Sequence, residues 1–100
     1  MDIEKSIEEN MLTVRINGRI DIETAPDFDR TVTETIDRNL LVVLDFANLS
    51  YISSAGLRSL LHLRNAVDEY GGDIRIVNVI DEVMEIFNIT GFVDMFEFGE

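Results

Sequence analysis

The chain has no cysteine and no tryptophan, and only one proline, one histidine and one lysine. Without cysteine there is no disulfide and no thiolate metal site. His62 has no second imidazole with which to build a metal cluster. Basic residues are scarce: 8 Lys and Arg stand against 20 Asp and Glu, a net charge of −12. Nucleic acid and anionic membranes both require a basic patch, so neither is an expected partner. The charge is read as serving solubility. No apolar run is long enough to cross a bilayer. The opening Met1-Asp2-Ile3-Glu4-Lys5 has neither the basic start nor the apolar stretch of a signal peptide. A cytoplasmic location is therefore expected.

Enzyme motifs are missing as well. There is no Gly-x-Ser-x-Gly elbow and no glycine-rich loop ending in Gly-Lys-Ser or Gly-Lys-Thr. His62 lies eight residues past Ser54, about two helical turns, too far for a serine–histidine pair within one helix. A receiver domain phosphorylated on aspartate needs an acidic cluster for Mg²⁺ and a late lysine. Here the only lysine is Lys5. A non-enzyme is expected, with no metal and no cofactor of its own.

What is present fits one compact domain, residues 1–100, with 46% apolar residues. Ile3 to Ile7 is an edge-strand candidate. Met11 to Ile16 alternates with period two, burying Leu12, Val14 and Ile16, and Asn17-Gly18 ends it. Thr24-Ala25-Pro26-Asp27 predicts a helix start with Thr24 as cap. Phe28, Val32, Ile36 and Leu40 continue as an amphipathic stripe. Leu41-Val42-Val43-Leu44 predicts a strand covered on both faces. Leu60, Leu63, Val67 and Tyr70 predict a second helix closed by Gly71-Gly72. Ile74 to Val79 is a strand. Asp81-Glu82 starts a third helix, with Val83, Met84 and Phe87 inward and Thr90-Gly91 at its end. Met95 to Phe98 is a short last strand. The order β-β-α-β-α-β-α-β predicts an α/β fold with a mixed sheet: an antiparallel hairpin, then parallel strands with helical crossovers packed on them. Sites in such sheets lie beyond the carboxyl ends of strands, where Asn17 to Glu23 and Phe46 to Gly56 fall.

The second of these segments holds the chain's most informative feature. Ser53-Ser54-Ala55-Gly56 sits where a strand hands over to a helix. A serine there caps free backbone N–H groups, and Ser54 is the natural candidate. The same helix start tolerates a phosphate. Only one serine is needed as a cap. Phe46 to Val67 contains no Asp or Glu but carries Arg58, His62 and Arg64. Arg58 lies one turn past Ser54, within reach of a phosphate there. Gly56 is costly in a first turn and implies a close approach by another backbone or a partner. Asp21, after a strand, is either a turn former or a residue lining the serine face. Asp45 either bonds loop N–H groups or orients the serine hydroxyl.

The run from Leu44 to Leu57 resembles the strand–loop–phosphoserine–helix signature of the STAS family, in particular its single-domain bacterial anti-sigma-factor antagonists. Gly18-Arg19-Ile20-Asp21 with Thr24 resembles the family's first loop, and Ile86 to Phe92 its last helix and exit. The resemblance implies a STAS-like fold and an anti-sigma-factor antagonist as function. It implies that a cognate anti-sigma serine kinase phosphorylates Ser54, with ATP bound by the kinase. The unmodified form would bind that kinase and release the sigma factor, and a serine phosphatase would reset the switch. Asp21, Ser53, Ala55, Gly56 and Arg58 would form the docking face of a monomer. Ser53 stands where the family usually has Asp. Ser53 is thus the alternative acceptor, and a non-phosphorylated scaffold module is the alternative function.

Overall fold

In the computed structural model, which describes residues 1–99, ten-residue strand β2 (Met11–Ile20) organises the sheet. Strand β1 (Asp2–Glu8) pairs with it antiparallel, and β3 (Leu41–Asp45) pairs parallel with its first half. β5 (Asp73–Val77) and β6 (Glu97–Phe98) extend the sheet beyond β3, all parallel. A further short strand, β4 (Leu49–Ile52), pairs only with the far end of β2. Three helices complete the fold: α1 (Ala25–Thr33), α2 (Ser54–Glu69) and α3 (Asp81–Thr90). A 3₁₀ turn at Phe92–Asp94 leads into β6. The mixed α/β architecture agrees with the expected class.

Alternation along the strands sets which face is buried. Leu12, Val42 and Ile74 stand in one row across β2, β3 and β5, and Val14, Leu44 and Ile76 in the next; all six are buried. Phe28 and Val32 of α1, Leu60 and Leu63 of α2, and Val83 and Phe87 of α3 belong to the same core. The intervening rows, Thr13–Val43–Arg75 and Arg15–Asp45–Val77, lie on the opposite face and remain partly or fully exposed. β3 is therefore not covered on both faces. Leu41 and Val43 are only half-buried, because polar neighbours from β2 and β5 flank Val43 and no second layer packs there.

Further expectations change. The stripe from Phe28 to Leu40 is not one helix. α1 ends at Thr33, and the N–H groups of Thr35 and Ile36 donate to Val32 O and Thr33 O, tightening the chain into a turn. Ile36 and Leu40 keep the stripe's spacing because the irregular segment also lies over the core. Asn17-Gly18 does not end β2. Gly18 takes φ 113°, the register shifts between Gly18 and Arg19, and the strand continues against β4. β4 itself reads as loop in the sequence, because four residues with Ser50 and Tyr51 exposed at the centre show no alternation. Tyr70, expected on the inward stripe of α2, lies past the helix end and is exposed. The last strand is two residues long rather than four.

The open face carries an ion-pair row. Arg15 lies between Glu4 (3.7 Å) and Asp45 (3.3 Å). Asp45 Oδ1 also accepts from the Ala47 N–H at 3.0 Å and from the Asn78 side-chain amide at 3.2 Å. Asp45 thus bonds a loop N–H, and its bonding partners lie away from the serines. Burial works to raise its pKa, but the Ala47 N–H, Asn78 and Arg15 together outweigh burial and hold the carboxyl below its ordinary value of 3.8. A carboxyl depressed in the folded state contributes stability above its unfolded pKa and loses it as pH falls through the folded value. Asp45→Asn should therefore melt below the wild type at neutral pH, and the gap should close as pH drops below about 4. Thermal melts across that range check this; a gap independent of pH would exclude the charge as the cause.

Candidate functional site

The switch of β2 from β3 to β4 brings two loops together. Gly18 N–H donates to Asn48 O at 3.0 Å, and Ser50 Oγ donates to Gly18 O at 3.1 Å. Ile20 and Ile52 then sit side by side. The Ser53 N–H donates to Ile20 O at 2.9 Å, so the start of α2 is tied to the residue before Asp21.

The two serines have separate roles. Ser53 is the N-cap, with extended backbone (φ −93°, ψ 176°) and its Oγ accepting from the Gly56 N–H at 3.3 Å. Its carbonyl accepts the first helical bond, from Leu57 N–H at 2.9 Å. The cap therefore lies one residue earlier than Ser54. Ser54 is the first residue inside the helix and is exposed. Among the described residues its hydroxyl has no hydrogen-bond partner within the protein.

Gly56 is buried against the ends of β2 and β4. A Cβ there would stand 2.6 Å from Ile52 Cγ1, 2.8 Å from Ile20 Cγ2 and 3.0 Å from Ile20 O. The close approach implied by this glycine is thus made by the chain's own strands. It lets α2 begin directly on the strand ends. Ala55 is half-buried, and Arg58, one turn further, is exposed.

Asp21 acts as a turn former. Its Oδ1 accepts from the backbone N–H of Glu23 (3.0 Å) and of Thr24 (3.1 Å), and Arg19 Nε lies 3.7 Å from Oδ2. The Thr24 N–H bond is the main cause that lowers the carboxyl's pKa; partial burial opposes it, and the Glu23 N–H and Arg19 reinforce it. Thr24 does not cap α1. Its backbone is helical rather than extended (φ −95°, ψ −19°), and its hydroxyl donates back to Arg19 O at 2.9 Å.

This bonded loop holds Ile22 outward, 78% exposed. Ile22, Pro26, Ala55 and Arg58 line a shallow depression between the start of α1 and α2, which reaches as far as His62. There His62 Nδ1 meets Asp29 Oδ2 at 2.9 Å, so the histidine bridges α1 and α2. Sequence reasoning missed Ile22. The available signal was one apolar residue between two acids in a loop, Asp21-Ile22-Glu23. One end of the molecule therefore gathers Asp21, Ser53, Ser54, Ala55, Gly56 and Arg58, with Ile22 added.

The division between the serines has a direct test in stability. Ser53→Ala removes the cap and should cost about 1 kcal/mol. Ser54→Ala should stay within about 0.5 kcal/mol of the wild type, as expected for an exposed hydroxyl without a partner. Urea denaturation of the two variants measures both; a larger loss at Ser54 would contradict the assignment.

The chain is similar to several anti-sigma-factor antagonists. An anti-sigma-B factor antagonist of Staphylococcus aureus is 25% identical over 101 residues, which cover 100% of this chain and 94% of that protein. The anti-sigma factor antagonist SpoIIAA in its unphosphorylated form matches the fold with a TM-score of 0.82 at 14% identity, over 99% of this chain and 89% of the other. Bacillus SpoIIAA in the phosphorylated form gives 0.73 at 13% identity, over 99% and 92%. The two structural likenesses concern the fold. Residues 2–100 match the sequence model of the STAS domain over almost the entire chain, and the protein belongs to the STAS domain family.

Proposed function

We propose that this STAS domain is an anti-sigma-factor antagonist that docks on a cognate anti-sigma serine kinase through its Ser54 end and is released when Ser54 is phosphorylated. The observation that carries the reading is the division between the serines: Ser53 caps α2, and Ser54 stands exposed one residue later. In the transfer, Ser54 Oγ attacks the γ-phosphorus of ATP held by the kinase. ADP leaves, and the hydroxyl proton passes to a base on the kinase. The product carries about −1.5 to −2 charges at neutral pH. At a helix start those charges meet backbone N–H donors and the positive end of the dipole, so the domain stays folded. Their effect falls on the docking face, where Ile22, Pro26 and Ala55 offer an apolar surface. A serine phosphatase would restore the hydroxyl. The domain would act as a cytoplasmic monomer that exchanges partners, without chemistry of its own. The Staphylococcus aureus relative named above as an anti-sigma-B factor antagonist supports the role.

Ser53 is the weaker acceptor, because it is half-buried and its Oγ already accepts the Gly56 N–H, whereas Ser54 is exposed and unbonded. Nor does Ser53 in place of the family's Asp favour the scaffold alternative. Serine and aspartate cap helices about equally well, so the exchange keeps the same local structure.

Incubation with the cognate kinase and ATP, followed by peptide mass mapping, should place one phosphate on Ser54. Modification of neither serine would sink the switch. Ser54→Asp should weaken kinase binding while Ser54→Ala retains it; equal affinities for the two would contradict the mechanism.

Ile22→Ser should lower kinase affinity about tenfold. Its melting temperature should not change, since the side chain lies outside the core. Calorimetric titration against the kinase measures the affinity, and an unchanged value would remove Ile22 from the interface.

A further inference from the structure

The arginines of this chain are distributed unevenly with respect to its acids. Arg15, Arg19, Arg30, Arg38, Arg64 and Arg75 each lie within 4 Å of a carboxylate. Arg58 is the exception: among the described residues no carboxylate comes that close. In a chain with 20 acids, this cation remains free beside Ser54, whose hydroxyl is also free. Its own surroundings explain the isolation. The first turn of α2 contains no acid, Asp29 is taken by His62, and Asp21 is held by its own loop and Arg19.

We infer that Arg58 is the cation that phosphorylation of Ser54 consumes: in the unmodified protein it receives a carboxylate of the docked kinase, and in the modified protein it pairs with the phosphate in cis. The spacing is the helical i, i+4 neighbourhood, which places both side chains on one face of α2. A guanidinium binds a phosphate dianion more strongly than a single carboxylate and presents a two-donor fork to it. The two pairings exclude each other, because the same donors serve both. Phosphorylation then changes the docking face twice, adding negative charge and engaging Arg58. The charge balance of the face favours an acidic contact from the partner, since the acid-free stretch from Phe46 to Val67 ends in no compensating carboxylate at Arg58. The docking half of this inference rests on the proposed function; the pairing in cis does not.

The test separates the two. Phosphoserine is installed at position 54 during synthesis, without any kinase, and its second ionisation is followed by ³¹P NMR. A guanidinium in contact stabilises the dianion, so the pKa in the otherwise wild-type protein should lie about 0.5 or more below that in Arg58→Gln. Arg58→Lys, which keeps the charge, should restore most of the shift. Equal values in all three proteins would overturn the pairing. For the docking half, unmodified Arg58→Gln should bind the purified kinase about tenfold more weakly than the wild type. Phosphoserine at position 54 should then weaken binding by a smaller factor in Arg58→Gln than in the wild type. Unchanged affinity, or an undiminished phosphate effect, would overturn that half. A kinase that binds neither protein contradicts the proposed function and the docking half, while the NMR comparison still decides the pairing in cis.

Discussion

The approach of Gly56 to Ile20 and Ile52 is the constraint on which the arrangement of the site depends. A helix normally needs room for a Cβ at every position, and strand ends normally carry side chains outward. Here α2 starts directly on two adjacent strand ends, closer than any side chain at Gly56 would allow. The bond from Ser53 N–H to Ile20 O fixes the same junction from the backbone side. Upstream, the arrangement requires Gly18, whose φ of 113° lets β2 leave β3 and continue against β4. Two glycines far apart in sequence thus place the Asp21 loop and the serine pair next to each other. The side chains at that end need only be polar, small or exposed; the backbone sets where they are.

Given that junction, the roles of the remaining residues follow from backbone conformation. Ser53 is extended, so its hydroxyl faces the free N–H groups of the first turn and caps them. Ser54 already has helical conformation, and its hydroxyl turns to solvent. Thr24 resembles a cap in sequence but has helical dihedrals, so its hydroxyl bonds backward to Arg19 O. Asp21 then supplies the acceptor for the Thr24 and Glu23 N–H groups. The result is a tight loop whose one apolar side chain, Ile22, has nowhere inward to go.

Where the sequence was legible, periodicity and end signals agreed. The rows Leu12–Val42–Ile74 and Val14–Leu44–Ile76 follow from alternation alone, and the end of α3 at Gly91 follows from its left-handed φ of 81°. The failures have physical causes. A four-residue apolar spacing looks helical whether or not the backbone is, so Ile36 and Leu40 extended α1 falsely. An apolar strand looks doubly covered when its outer side chains, such as Val43, are shielded only by neighbours in the sheet. Strand β4 is too short to show a period and pairs with the end of a strand expected to have stopped. The serine pair was legible as a helix start, but the assignment of cap and free hydroxyl depends on one residue of helix register, which sequence alone does not fix. Ile22 was missed because its exposure arises from Asp21 and Thr24 bonding elsewhere.

The position of Ser54 also bears on how large a regulatory effect the domain can carry. A domain of this size is stable by about 5–15 kcal/mol. A switch that worked by unfolding would have to overcome most of that and would leave an aggregation-prone chain after each modification. A hundredfold change in partner affinity needs only about 2.7 kcal/mol. Charge added at an exposed first-turn position supplies an effect of that order at a contact face while the core, the Ser53 cap and the Gly56 junction stay as they are. The hydroxyl must for this purpose sit between the cap and Gly56. One residue earlier than Ser54, the hydroxyl is half-buried and already engaged by the Gly56 N–H. Two residues later, at the position of Gly56, any side chain would collide with Ile20 and Ile52. Only Ser54 and Ala55 satisfy both limits, and of these only Ser54 has an oxygen to modify.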